Sequence, residues 1–157
     1  MEINIESLDR KVFNIALQEE SERQTMQQNM IKSQINRGYR FDGDEDTIEQ
    51  IDRLKTSFGL MSRRRKPIFT ISDEEFKFLD KLIKNQTYIS NSRIDDWAPN
   101  GSMTRCFKSR YFEQNKDATE EKFEACRLDI IKYDEDLKNC MKELANILGI
   151  EYNPNLK

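Results

Sequence analysis

Apolar residues recur at helical spacing from the start of the chain. Leu8, Val12, Ile15 and Ala16 mark one face behind Ser7, a side chain suited to cap a helix N-terminus. From Gln18 to Thr25 the pattern lapses into Glu19, Glu20, Ser21, Glu22, Arg23 and Gln24, then resumes with Met26, Met30, Ile31 and Ile35 before Gly38. Strong helix formers fill the polar stretch, so one helix is expected to run through it, with residues 1–36 as a projecting helical arm.

Asp46 and Glu49 have capping-box spacing, and Ile48, Ile51, Leu54 and Phe58 then line one stripe, predicting a helix over 46–61. The basic run Arg63–Lys66 leads to Pro67, whose ring favours extended backbone before it, so 62–71 reads as a basic linker. Ile68 to Ile71 is expected to pair as a β-strand or to lie extended on the core. Ser72 and Glu75 form a capping box, with Ile71 and Phe76 placed as a hydrophobic staple. That helix carries Phe76, Leu79, Leu82 and Ile83 and is expected to weaken near Tyr88 or Ile89, where Ser90, Asn91 and Ser92 follow. Residues 95–101 read as a loop, and a short helix is predicted over 102–113.

The last helix is the most regular. Asp117 is its expected cap and Gly149 its stop, and between them Phe123, Cys126, Ile130, Tyr133, Leu137, Cys140, Leu144 and Ile147 alternate at spacings of three and four. Leu128, Ile131, Met141 and Leu148 widen this seam, which suits a bundle. The pattern predicts an all-α single domain over 1–157, a bundle of about five helices with long N-terminal and C-terminal members, elongated and with coiled-coil-like packing.

Composition agrees. One Val, five Gly and three Pro in 157 residues leave little material for strands and hairpins, while 35% charged against 36% hydrophobic residues implies much solvated helix surface. No apolar run is long enough to span a bilayer, and Met1 to Glu6 lack the basic-then-apolar order of a signal peptide. Three cysteines, an odd number, point to free thiols in a reducing compartment, so an intracellular, cytoplasmic protein is expected, with the nucleus possible through the tetrabasic run.

Candidate chemistry is sparse. Histidine is absent, which removes the commonest general base and transition-metal ligand, and the five glycines cannot be arranged into a nucleotide-cradling motif. The acidic run Asp42 to Asp46 fails as a calcium loop, since Thr47 and Arg53 stand where Gly and Glu are required. Asp95 and Asp96 are adjacent, and adjacent carboxylates rarely face one substrate atom. Cys126 and Cys140 fall in the apolar seam as small core residues, and Cys106 lies between Arg105 and Lys108. No catalytic residue, metal, cofactor or small-molecule substrate is indicated, and a non-enzymatic adaptor, inhibitor or structural subunit is expected. It would dock onto a protein partner or a second copy of itself.

Its candidate anchors are Met26, Met30, Ile31 and Ile35 on the arm, and Trp97, the one Trp, which either plugs the core or contacts a partner. The alternative follows from a charge reversal: residues 42–52 carry only acids, while 53–66 carry Arg53, Lys55, Arg63, Arg64, Arg65 and Lys66. Such a block can neutralise phosphates, making nucleic-acid association the second reading.

Overall fold

The computed structural model describes residues 1–36 and 67–157, except the side chains at 28, 31, 34–36 and 69. These residues form β1 (Glu2–Asn4), α1 (Arg10–Asn36), β2 (Ile68–Thr70), α2 (Asp73–Asp96), α3 (Ser102–Gln114) and α4 (Glu120–Leu148). The architecture is predominantly helical, with four helices among the described residues; the helix expected over 46–61 lies outside them.

α2 and α4 form the central antiparallel pair: Arg93 meets Asp134 and Trp97 meets Arg127, so one chain advances as the other retreats. α1 also runs antiparallel to α4, since Cys140 Sγ donates to the Asp9 carbonyl while Tyr133 reaches Glu19. Between these helices lies a core that includes Leu8, Phe13, Ala16 and Leu17 from α1 and its lead-in, Leu79, Leu82 and Ile83 from α2, and Leu137, Met141, Leu144 and Leu148 from α4.

The extended reading of Ile68–Ile71 is realised, with a partner that sequence periodicity did not reveal. β2 pairs antiparallel with β1, Ile3 opposite Phe69, and the ladder continues through Ile5 N–H to the Pro67 carbonyl at 2.9 Å and Ile71 N–H to the Met1 carbonyl at 2.8 Å. A two-stranded ribbon is marginal in water by itself. This one is held because Ile3, Ile5 and Ile71 are buried in the core. The opening residues are therefore part of the body, and the projecting portion of residues 1–36 begins only after Gln24.

Three helix boundaries differ from expectation, each for a local reason. α1 is capped by Asp9, whose Oδ1 accepts from the N–H groups of Lys11 and Val12, while Ser7 donates instead to Glu143 at 2.6 Å. α4 is capped by Thr119, which accepts from Lys122 N–H; Asp117 supplies only a carbonyl to the Lys122 ammonium. α2 continues past Tyr88 to Asp96. Of the residues expected to weaken it, Ser90 and Asn91 are buried: Ser90 Oγ accepts from Gln86, and Asn91 Nδ2 donates to the carbonyls of Pro154 and Leu156 in the C-terminal tail, beside Thr87 Oγ1, which donates to Tyr152. Tertiary hydrogen bonds thereby outweigh weak local propensity. One start and one stop predicted from local signals hold: Ser72 and Glu75 make the reciprocal capping box that opens α2, and Gly149 closes α4 at φ 70°.

Candidate functional site

One face of the polar stretch of α1 turns inward, with Glu20 and Ser21 buried and Glu19, Arg23 and Gln24 half-buried, while Gln18, Glu22 and Thr25 face water. Past Leu17 the helix is held by an ionic network with α2 and α4. Glu19 accepts from both terminal nitrogens of Arg93, at 3.2 and 3.0 Å, from Tyr133 Oη at 2.6 Å and from Gln86 Nε2 at 3.2 Å. Buried Glu20 accepts from Arg23 at 2.6 Å, and Arg23 also reaches Gln86 Oε1. Gln86 donates in turn to Ser90. Arg93 lies 2.9 Å from Asp134 Oδ1 and over the Tyr133 ring. That carboxylate oxygen has no aligned donor, so the Arg93–Asp134 attraction is coulombic rather than a formed hydrogen bond.

The titration of these groups follows from their partners. Burial raises Asp134 above its ordinary value, against the pull of Arg93. Burial also acts to raise Glu19, but the hydrogen bonds from Arg93 and Tyr133 outweigh it and hold Glu19 low. Tyr133 is pushed up to about 12, by burial first and then by its bond to the Glu19 carboxylate. Both acids are thus matched by cations, and the network fixes the register and direction of α1 on the other two helices.

Sequence reasoning missed this cluster, although a trace of it is present. On α4 the buried positions are Phe123, Arg127, Asp134, Leu137, Cys140, Met141, Leu144, Ala145 and Leu148; Phe123, Leu137, Cys140 and Leu144 fall where the predicted seam put them, but between Phe123 and Leu137 the buried positions Arg127 and Asp134 stand one residue after the predicted Cys126 and Tyr133. Cys126, expected in the core, is exposed, and Leu128 does not widen a buried stripe but faces solvent. On α2 the apolar stripe of Leu79, Leu82 and Ile83 continues at the same spacing as Gln86, Thr87, Ser90 and Asn91. A buried helix face that changes from apolar to polar without changing period is the available signal.

Beyond Gln24 every described side chain of α1 is exposed, Met26 at 67% and Met30 at 60%. Met26 and Met30, four residues apart, share one face of the helix. The side chains of Ile31 and Ile35 lie outside the described residues.

Trp97 caps α2 and is half-buried, neither a core plug nor fully free. Its ring meets Phe107 edge-on, centroids 5.5 Å apart, and its carbonyl accepts from buried Arg127 at 2.9 Å. Arg127 is closed from the other side by Glu124. Phe107, Tyr111 and Phe112 of α3 pack around Phe123 of α4, forming an aromatic cluster separate from the main core. The turn into α3 is tight, because a Cβ at Gly101 would collide with the Asp96 carbonyl. Asp96 accepts from Ser102 and Asp95 lies 3.8 Å from Lys157, so the two acids engage different groups.

An open cleft of about 400 Å³ lies between the start of α1 and the middle of α4, lined by Asp9, Val12, Lys132, Asp136, Cys140 and Glu143 among others. Two of its acids are engaged, Asp9 in the α1 cap and Glu143 by Ser7. The Cys140 thiol there is pushed up to about 12 by burial and nearby acids; Cys106 is exposed on α3. Among the described residues no three side chains of metal-ligating type converge, and no helix is long and apolar enough to cross a membrane. The candidate phosphate-binding residues Arg53, Lys55, Arg63, Arg64, Arg65 and Lys66 lie outside the described residues. Comparison of the chain with protein-family models, with curated proteins and with solved structures yields no match.

Proposed function

We propose that this protein is a non-enzymatic docking subunit, an adaptor, inhibitor or structural component that engages a protein partner or a second copy of itself through amphipathic helices. The observation that carries this reading is the second half of α1, which continues as helix after its last contacts with the body and presents Met26 and Met30 to solvent. A helical stretch this short is marginal without packing, and methionines are adaptable anchors suited to a contact made with another molecule. Coiled-coil-like pairing with a partner helix is the geometry the exposed segment favours. The ionic network at Glu19 and Arg93 supports it, because it sets the angle at which the arm leaves the body.

The test replaces Met26 and Met30 by Glu. Light scattering and sedimentation of the purified variant, with capture of partners from source-cell lysate, should show association lost while the helical content stays. Association equal to wild type overturns the reading. The alternative, nucleic-acid association through residues 53–66, is supported by the charge reversal in the sequence. It requires oligonucleotide binding that falls steeply with salt and is lost on alanine substitution of Arg63, Arg64, Arg65 and Lys66.

A further inference from the structure

α2 has two polar faces past its middle. Gln86, Ser90 and Arg93, spaced by four and three, form the one that meets α1 and α4, where Arg93 grips Glu19 and Asp134. Thr87 and Asn91 form the neighbouring one, 0% and 9% exposed, and their polar atoms are answered by the segment that follows Gly149. Thr87 Oγ1 donates to Tyr152 Oη at 3.2 Å, and Tyr152 Oη donates to the Lys138 carbonyl of α4 at 3.4 Å. Asn91 Nδ2 has two protons and donates to two carbonyls of the segment, Pro154 at 2.9 Å and Leu156 at 2.8 Å. Ile150 and Tyr152 rest on the core, and at the turn beyond them Asn153 Oδ1 accepts from Asn155 N–H at 3.0 Å.

This arrangement accounts for the length of α2. Residues 88–96 include Ser90, Asn91, Ser92, Asp95 and Asp96, poor helix formers whose short polar side chains compete for the backbone when nothing else engages them. With the segment seated, Thr87 and Asn91 are engaged and the helix runs to Asp96. Without it both side chains are free to bond nearby backbone, and the turns that carry Arg93 lose a support. Arg93 is the α2 cation that holds Glu19. The docking of α1 therefore depends on a segment whose hydrogen bonds described above go to α2 and α4.

We propose that residues 150–157 are a strap that controls the docking of α1 at a distance: seated on Thr87 and Asn91 it keeps residues 88–96 helical and Arg93 on Glu19, and lifted it releases α1 from Glu19 onward. This rests on the docking reading only for its use, since the helix so controlled is the one that carries Met26 and Met30. The coupling itself is measured without any partner, so either idea can fail while the other holds.

Hydrogen exchange of the full-length protein, read by mass spectrometry of its peptides, follows each segment separately. Tyr152→Ala removes the anchor of the strap, and Asn91→Asp, of the same shape, turns two donated bonds into repulsion between acceptors. Each should speed exchange about tenfold or more at 88–96 and also at 19–24, while 76–85, in the same helix as 88–96, changes by less than about threefold. In Arg93→Met the 19–24 amides are already fast, and adding Tyr152→Ala should quicken them by less than about threefold again. Circular dichroism verifies folding, and either single variant suffices if the other does not fold. The proposal is overturned if 88–96 keeps its protection in the variants, if 88–96 loses protection and 19–24 does not, if every segment speeds up alike, or if the effects of Tyr152→Ala and Arg93→Met on 19–24 multiply.

Discussion

Replacing Arg93 by Met tests the role given to the ionic network. The substitution keeps the apolar stem and removes a guanidinium that serves two carboxylates, Glu19, whose side chain is 17% exposed, and Asp134, at 4%. Breaking one partner out of a fully buried pair costs about 3–5 kcal/mol. The Arg93 side chain is itself 36% exposed, so solvent already screens part of the attraction, and about 2–3 kcal/mol is the expected loss at neutral pH.

The loss has a pH signature. Asp134 has a folded pKa above its unfolded value, so its contribution favours the folded state at low pH and is lost as pH rises through the folded value. Glu19 has the opposite sign: its folded pKa is lowered, and its contribution is present above the ordinary 4.5 and lost as pH falls. Without Arg93 the first effect grows and the second shrinks. The variant should therefore recover stability relative to wild type as pH falls from neutrality toward the ordinary carboxylate range. Adding Asp134→Asn to Arg93→Met should restore about 1 kcal/mol, since it removes the stranded charge. Urea denaturation followed by circular dichroism measures each value. A loss below about 1 kcal/mol, or effects of the two substitutions that simply add, refutes the argument that these residues act as one buried unit.

Removing residues 1–8 should destabilise the protein by several kcal/mol or unfold it, because Ile3, Ile5 and Leu8 each bury a side chain worth about 1.5–3 kcal/mol; a denaturation midpoint like that of the full chain would show the ribbon to be dispensable. Gly149→Ala should cost about 1 kcal/mol, since φ there is 70° and no neighbouring atom hinders or helps the added methyl; thermal unfolding measures it. Iodoacetamide should label Cys106 and Cys126 in the folded protein and Cys140 only after unfolding, as mass spectrometry of the peptides will reveal.

Local codes were legible before folding. The capping box at Ser72 and Glu75, the stop at Gly149 and the unbroken run of α1 depend on residues within a turn or two of each other, and each is present. Predominantly helical structure followed from composition and period. Of the candidate site residues, Met26 and Met30 are exposed, and Trp97 is half-buried because Phe107 of the next helix packs against its ring, a contact that no local pattern foretells.

Partnership was decided by tertiary structure. A sequence read for apolar stripes assigns Glu19, Glu20, Arg127 and Asp134 to solvent, because a lone charge in a core is prohibitively costly. The fold buries Glu20 and Asp134 and half-buries Glu19 by bringing α1, α2 and α4 together, so that Arg93, Arg23, Gln86 and Tyr133 answer those acids from positions up to 114 residues away in the chain, and it buries Arg127 against the Trp97 carbonyl. The same long-range pairing joined the opening residues to Ile68–Thr70 and extended α2 through Ser90 and Asn91. Period along one segment sets which face of a helix is distinct; only the neighbour that arrives on that face determines whether apolar or charged groups belong there.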